Sequence, residues 1–218
     1  MTPRLVVFDL DGTLVDSRRD LADSVNAMLA GFGAPPLPEA LVGAMVGDGA
    51  PVLVRRALEA ARLPADRHGD ALARFLAEYD ARLLRHTRPY DGIVDLLAGL
   101  HGRARLAVLT NKPEAAARTV LEGLDLLRFF DAVVGGDGPL ARKPDPPGLL
   151  HLARAAGAAP AETMLVGDSA IDLETARRAG ARACLARWGF GCPPEGLPLC
   201  DGELAAESPA ALRRLLGV

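Results

Sequence analysis

Apolar residues open the chain as a short run over 5–10, broken by Asp9 and closed by the turn residue Gly12. Such a run predicts a strand buried on both faces. Over 16–32 the spacing changes: Leu21, Val25, Met28, Leu29 and Phe32 recur at helical intervals, and the proline-rich stretch after Gly33 ends the helix. The pattern returns over 51–63 and 66–86, the second with Leu72, Phe75, Leu76, Tyr79 and Leu83 on one face. Residues 15–86 therefore read as all-helical.

Beyond Arg88, Pro89 and Gly92 the pattern alternates. Helices are expected over 93–100, 113–124, 147–156 and 171–179, and strands over 105–110, 131–135, 163–168 and 182–186. Near the end Ser208 reads as a helix N-cap with Pro209 as the first helical residue. Alternation of this kind implies right-handed crossovers and a parallel sheet with helices on both faces. The expected fold is α/β, a Rossmann-like core formed by 1–14 and 87–218, interrupted after its first strand by a helical insert over 15–86.

Composition narrows the function classes. Half of the 218 residues are hydrophobic, and 25 cations against 28 anions give a net charge of −3, with no basic block suited to nucleic acid. No stretch approaches the ~18 apolar residues that span a bilayer, so no membrane role is expected. The three cysteines, Cys184, Cys192 and Cys200, are odd in number and far from histidine in sequence, which fits neither a disulfide framework nor a zinc site. A cytoplasmic protein is expected, of open oligomeric state (monomer or homodimer).

In an open parallel sheet ligands bind at the carboxyl ends of the strands, and four ends carry chemistry. Asp9 and Asp11 close the first; two neighbouring anions need a cation between them or a proton on one. An Asx-turn accounts for Asp11 equally well, but Asp9 lies in an apolar strand where an unpartnered carboxylate is expensive. Thr110 and Asn111 close the second, at a helix start that suits an anion; capping by either is the competing reading. Lys143 follows in ArgLysProAsp, where a solvated lysine is the plain alternative. Asp168 closes the fourth, with Asp172 in the next helical turn, where it could merely complement the helix dipole. Carboxylates in this number suit Mg²⁺ with a substrate phosphate. A phosphate ~4 Å from a carboxylate meets about 4 kcal/mol of repulsion per charge pair at an effective dielectric near 20, so both Mg²⁺ and Lys143 are needed.

PheAspLeuAspGlyThr, LeuThrAsn, LysPro and ValGlyAspSerAlaIleAsp, in that order, resemble the four motifs of the haloacid-dehalogenase-like phosphatases. The resemblance covers nearly the whole chain and makes the insert a type 1 cap. It implies that Asp9 is the nucleophile that becomes an aspartyl-phosphate, and that Asp11 is the general acid and then the base for water. It further implies that Thr110, Asn111 and Lys143 hold the phosphoryl group, that Asp9, Asp168 and the backbone carbonyl of Asp11 bind Mg²⁺, and that Asp172 supports them. Dehalogenases of the superfamily lack the second aspartate, so Asp11 implies phosphoryl transfer. ValGlyAspGlyAla at 46–50 and LeuThrAsnLysPro look most like phosphoglycolate phosphatases. The implied substrate is a small phosphorylated metabolite, 2-phosphoglycolate. The group often reads GlyAsnGly where this chain has Gly47, Asp48 and Gly49. These three, with Arg55 and the neighbouring Arg56, are the candidate substrate loop of the cap, although Asp48 also reads as the N-cap of the helix at Pro51. Hydrolysis of sugar phosphates or pyrophosphate, a phosphohexose mutase, and a non-catalytic phosphometabolite sensor remain alternatives.

Overall fold

Strand β1 (Leu5–Phe8) lies at the centre of a six-stranded sheet, which explains its unbroken apolar run. Val6 and Phe8 enter one core layer while Leu5 and Val7 enter the other. The computed structural model describes residues 3–193 and 196–218. After β1 the chain forms β2 (Val15–Asp16), α1 (Arg18–Ala30), α2 (Glu39–Gly43), α3 (Ala50–Ala60), α4 (His68–Asp80) and β3 (Arg88–Pro89). It continues through α5 (Ile93–Leu100), β4 (Arg105–Leu109), α6 (Glu114–Gly123), β5 (Ala132–Val134) and α7 (Pro147–Ala155). Then come β6 (Thr163–Gly167), α8 (Ala170–Ala179), β7 (Arg182–Ala186), β8 (Leu204–Ala206) and α9 (Pro209–Leu216).

The main sheet runs β5-β4-β1-β6-β7-β8 with every pair parallel. Helices α5, α6 and α9 cover one face through residues such as Leu96, Val120 and Leu212; α7 and α8 cover the other through Leu149, Leu152 and Leu173. The chain winds outward in opposite directions from β1, which places a crevice at the carboxyl ends of β1 and its neighbours. Ser208 caps α9 as expected, its Oγ accepting from Ala211 N–H at 3.1 Å.

Between β1 and β3 the helices α1 to α4 pack on one another and share an apolar layer with one face of the sheet, Val25, Leu58 and Phe75 among them. The all-helical expectation for 15–86 is corrected at its edge, since Val15–Asp16 pairs antiparallel with Arg88–Pro89. Two residues are too few to show a period. The helix expected to reach residue 86 ends at Asp80; Leu83 keeps the apolar rhythm because it is buried from a turn. Neither α2 nor β8 was expected, being five and three residues long.

Asp20, fully buried on α1, ties this segment to its exit. Its carboxylate accepts the backbone N–H of His86 at 2.9 Å, that of Thr87 at 2.8 Å and the Thr87 hydroxyl at 2.7 Å. Asp20→Ala strands these donors, and a loss of about 2–4 kcal/mol is expected. The urea midpoint should fall at unchanged slope; an unmoved midpoint would refute the tie.

Candidate active site

The site begins where the sheet stops. Asp9 lies one residue past β1, its N–H still bonded to Val166 O at 2.9 Å, and Asp168 lies one residue past β6. Because β1 and β6 are adjacent, the two carboxylates meet, and the first turn of α8 brings in Asp172. Oxygens of Asp9, Asp168 and Asp172 lie within 4.8 Å of one another, all three residues buried. Lys143 Nζ sits 2.9 Å from Asp9 Oδ1 and 2.6 Å from Asp172 Oδ1. The other Asp172 oxygen accepts the Ser169 hydroxyl at 2.6 Å. Asp172 is thus a member of the cluster as well as an acceptor for the Ser169 N–H at the start of α8, and Lys143 is not a solvated lysine.

Burial pushes the Asp9 carboxyl up to about 6; Lys143 pulls it back and Asp172 drives it further up. Burial, with Asp172 and Asp9, likewise holds Asp168 well above the carboxylate range, opposed by the Gly191 N–H. Burial also works against the Lys143 charge, but Asp172 and Asp9 outweigh it and raise its pKa. Three buried carboxylates against one ammonium leave surplus negative charge, and an all-oxygen donor set suits a hard divalent cation such as Mg²⁺. Room for one is preserved by glycine: a Cβ on Gly12, whose φ is +89°, would stand 2.0 Å from Asp168 Oδ2.

A loop after β7 supports this centre from outside the four motifs. Gly191 N–H donates to Asp168 Oδ2 at 2.7 Å, and Trp188 Nε1–H donates to Thr13 O at 2.9 Å. A Cβ on Gly189 would lie 2.2 Å from that of Asp168. No side chain of the loop marks it as part of the centre, since its charged residue, Arg187, pairs with Glu207 at 3.0 Å instead; the dense glycines after a strand were its signal.

Asp11 turns elsewhere. Its Oδ1 accepts the Ser17 hydroxyl at 2.7 Å, and both its oxygens meet Lys112 Nζ at 3.0 Å. Lys112 also donates to the Tyr79 hydroxyl and lies 4.4 Å from that ring's centre. Burial, then Asp11, raises the Tyr79 phenol well above its ordinary value, so it stays a neutral partner. Lys112 was not among the expected site residues, yet its signal is compositional: of the 25 cations 23 are arginine, and the two lysines are Lys112 and Lys143, both buried here.

A cavity of about 460 Å³ lies between the sheet ends and the helical segment. Asp9, Asp11, Thr110, Asn111 and Lys112 line its polar floor, and Leu53, Leu72, Phe75 and Leu76 its apolar side. Lys143 is not on the wall; it stands behind Asp9. Thr110 and Asn111 do not cap α6, whose N-cap position is Pro113. Thr110 Oγ1 accepts Lys112 N–H at 3.3 Å, while Asn111 Nδ2 donates to Gly47 O and Lys143 O, both at 2.9 Å. Asn111 therefore joins the loop at Gly47 to the loop of Lys143. Gly47 and Gly49 line the cavity, but Asp48 and Arg55 do not. Asp48 does not cap α3, whose N-cap position is Gly49 with no side-chain bond; it pairs with Arg56 at 2.7 Å. Arg55 is exposed beside Glu59 at 3.7 Å.

Residues 3–180 match the model of the haloacid dehalogenase-like hydrolases, a span that holds all four motif-bearing strand ends. The chain belongs to this family. Among curated hydrolases of this kind it is 42% identical over 206 residues to phosphoglycolate phosphatase 1 of Pseudomonas aeruginosa, covering 91% of this chain and 74% of that protein. It is 44% identical to phosphoglycolate phosphatase of Rhodospirillum rubrum, covering 88% and 83%. A crystal structure from Haemophilus somnus, described as a predicted phosphoglycolate phosphatase, superposes with a TM-score of 0.90 at 29% identity over 99% of this chain and 98% of that one. The α/β core expected from the alternating pattern is thus borne out, as is the family that the four motifs resemble. Among the described residues no helix is long and apolar enough to cross a membrane.

Proposed function

We propose that the chain is a Mg²⁺-dependent phosphomonoesterase that hydrolyses 2-phosphoglycolate to glycolate and phosphate. The observation that carries the reading is the division of labour between the two aspartates. Asp9 belongs to the cluster of carboxylates suited to a metal and faces the cavity; the Asp11 side chain lies apart from that cluster, held by Ser17 and Lys112 on the same wall.

Asp9, oriented through Oδ1 by Lys143, attacks phosphorus and becomes an aspartyl-phosphate. Asp11 protonates the departing ester oxygen and then takes a proton from the water that cleaves the phosphoenzyme. The Thr110 hydroxyl on the cavity floor bonds the phosphoryl oxygens. Asn111 keeps that floor in register with the loop at Gly47. Asp9, Asp168 and the Asp11 carbonyl would hold Mg²⁺, with Asp172 in support; the ion would supply the positive charge that offsets repulsion of an anionic phosphate by a carboxylate nucleophile. We divide the chain into a catalytic core, 1–14 and 87–218, and a cap, 15–86, whose apolar surface excludes bulk water from the reaction. The free thiols of Cys184 and Cys200 suit a reducing, cytoplasmic setting.

The cavity volume also admits a sugar phosphate, the second reading: Leu53, Leu72, Phe75 and Leu76 offer no partners for a ring of hydroxyls, whereas Asp80, Asp137 and Arg142 on the same lining do. Phosphate release with Mg²⁺ across 2-phosphoglycolate, hexose phosphates and pyrophosphate is the test. Release from 2-phosphoglycolate should dominate and vanish with chelator; release chiefly from a hexose phosphate transfers the assignment, and release from none refutes it.

A further inference from the structure

Lys112 is a buried ammonium on the cavity wall whose bonds invite exchange. An ammonium has three N–H donors; here one serves the Tyr79 hydroxyl and the others meet the two oxygens of Asp11. Its side chain is only 3% exposed, yet it lines the cavity. It can turn one donor from Asp11 to a ligand oxygen without leaving any charge unpaired. Asp11 stays in place meanwhile, because Ser17 holds its Oδ1. The adjoining wall of Leu72, Phe75 and Leu76 offers an anion nothing. Arg142 also reaches the cavity, but it is exposed and its Nε donates to Gly136 O at 2.5 Å.

We propose that Lys112 is a specificity-determining residue that receives a second anionic group of the substrate, a carboxylate one carbon from the ester oxygen. The inference rests on the phosphatase reading above. If Asp11 serves the leaving oxygen, the ammonium gripping Asp11 lies on the leaving-group side, one carboxylate away. The substrate class it selects is the phosphorylated 2-hydroxy acids. An ester with a neutral tail leaves the Lys112–Asp11 pair as it stands and gains nothing from it.

The test compares kcat/KM with Mg²⁺ for 2-phosphoglycolate and for ethyl phosphate, which carries a methyl group where the acid has its carboxylate. The wild-type chain should prefer the acid by about 10- to 100-fold, the size of a charge-assisted hydrogen bond. Lys112→Met should lower kcat for both esters, since Asp11 loses its partner, but it should also raise KM for the acid alone and so erase the preference, and Lys112→Arg should restore part of it. A wild-type chain without preference, or a Lys112→Met chain that loses both esters equally, overturns the assignment and leaves the phosphatase reading standing. Phosphate release from neither ester by wild type overturns both. The wild-type comparison needs no variant, so it can overturn the assignment even if Lys112→Met does not fold, and Lys112→Arg then ties the preference to this position.

Discussion

Asp9→Asn is expected to lower phosphate release by about 10³-fold or more, the scale of removing a nucleophile, and to abolish the phosphoenzyme detectable by intact mass. Folding should survive. Asparagine keeps the shape of the side chain and an oxygen for Lys143, and the raised pKa of Asp9 shows that its charged form is costly where it sits. Without metal the variant should melt within a few degrees of wild type or above it. Robust turnover by a folded Asp9→Asn chain would sink the covalent mechanism.

Lys143→Met should have the largest effect on stability. It strips Asp9 and Asp172 of the ammonium they share, and breaking a buried ion pair from one side costs about 3–5 kcal/mol. For a chain of this length that corresponds to roughly 6–20 °C in Tm. The pH dependence has a definite sign. Asp9 titrates near 6 when folded against 3.8 unfolded, and Asp168 is also raised. Stability linked to these groups is present below the unfolded value and lost as pH rises through the folded one. Removing Lys143 pushes both groups further up, so the deficit should be greatest at pH 7 and above and shrink towards pH 5. Scanning fluorimetry of metal-free protein across that range measures it. A deficit that grows as pH falls would contradict the charge account.

The elements that position the site were legible in the chain because strands such as 182–186 and helices such as 93–100 repeat with the period their burial requires. Asp9 and Asp168 stood out as carboxylates at the ends of apolar strands, where only a partner or a metal justifies them. The bonds made across the fold were hidden. Asp20 is an ordinary acid on an amphipathic helix until His86 and Thr87 return to it from 66 and 67 residues away. Lys112 carried no reading of its own, because the Tyr79 that holds it comes from a different segment. Asp48 shows the converse: local grammar offered it as a cap, and Arg56, two turns along α3, had the stronger claim as a full charge at 2.7 Å.

The confinement of both lysines to this centre makes the amine chemistry of the chain a probe of one place. An acylating reagent that consumes side-chain amines finds none on the folded surface, since Lys112 and Lys143 are 6% and 5% exposed. It can react with Lys143 only when the fold opens locally, and with Lys112 only by entering the cavity that residue lines. The rate of their acylation, resolved at each position by peptide mapping, therefore clocks the opening of the site itself, and a ligand that closes the cavity should slow that clock.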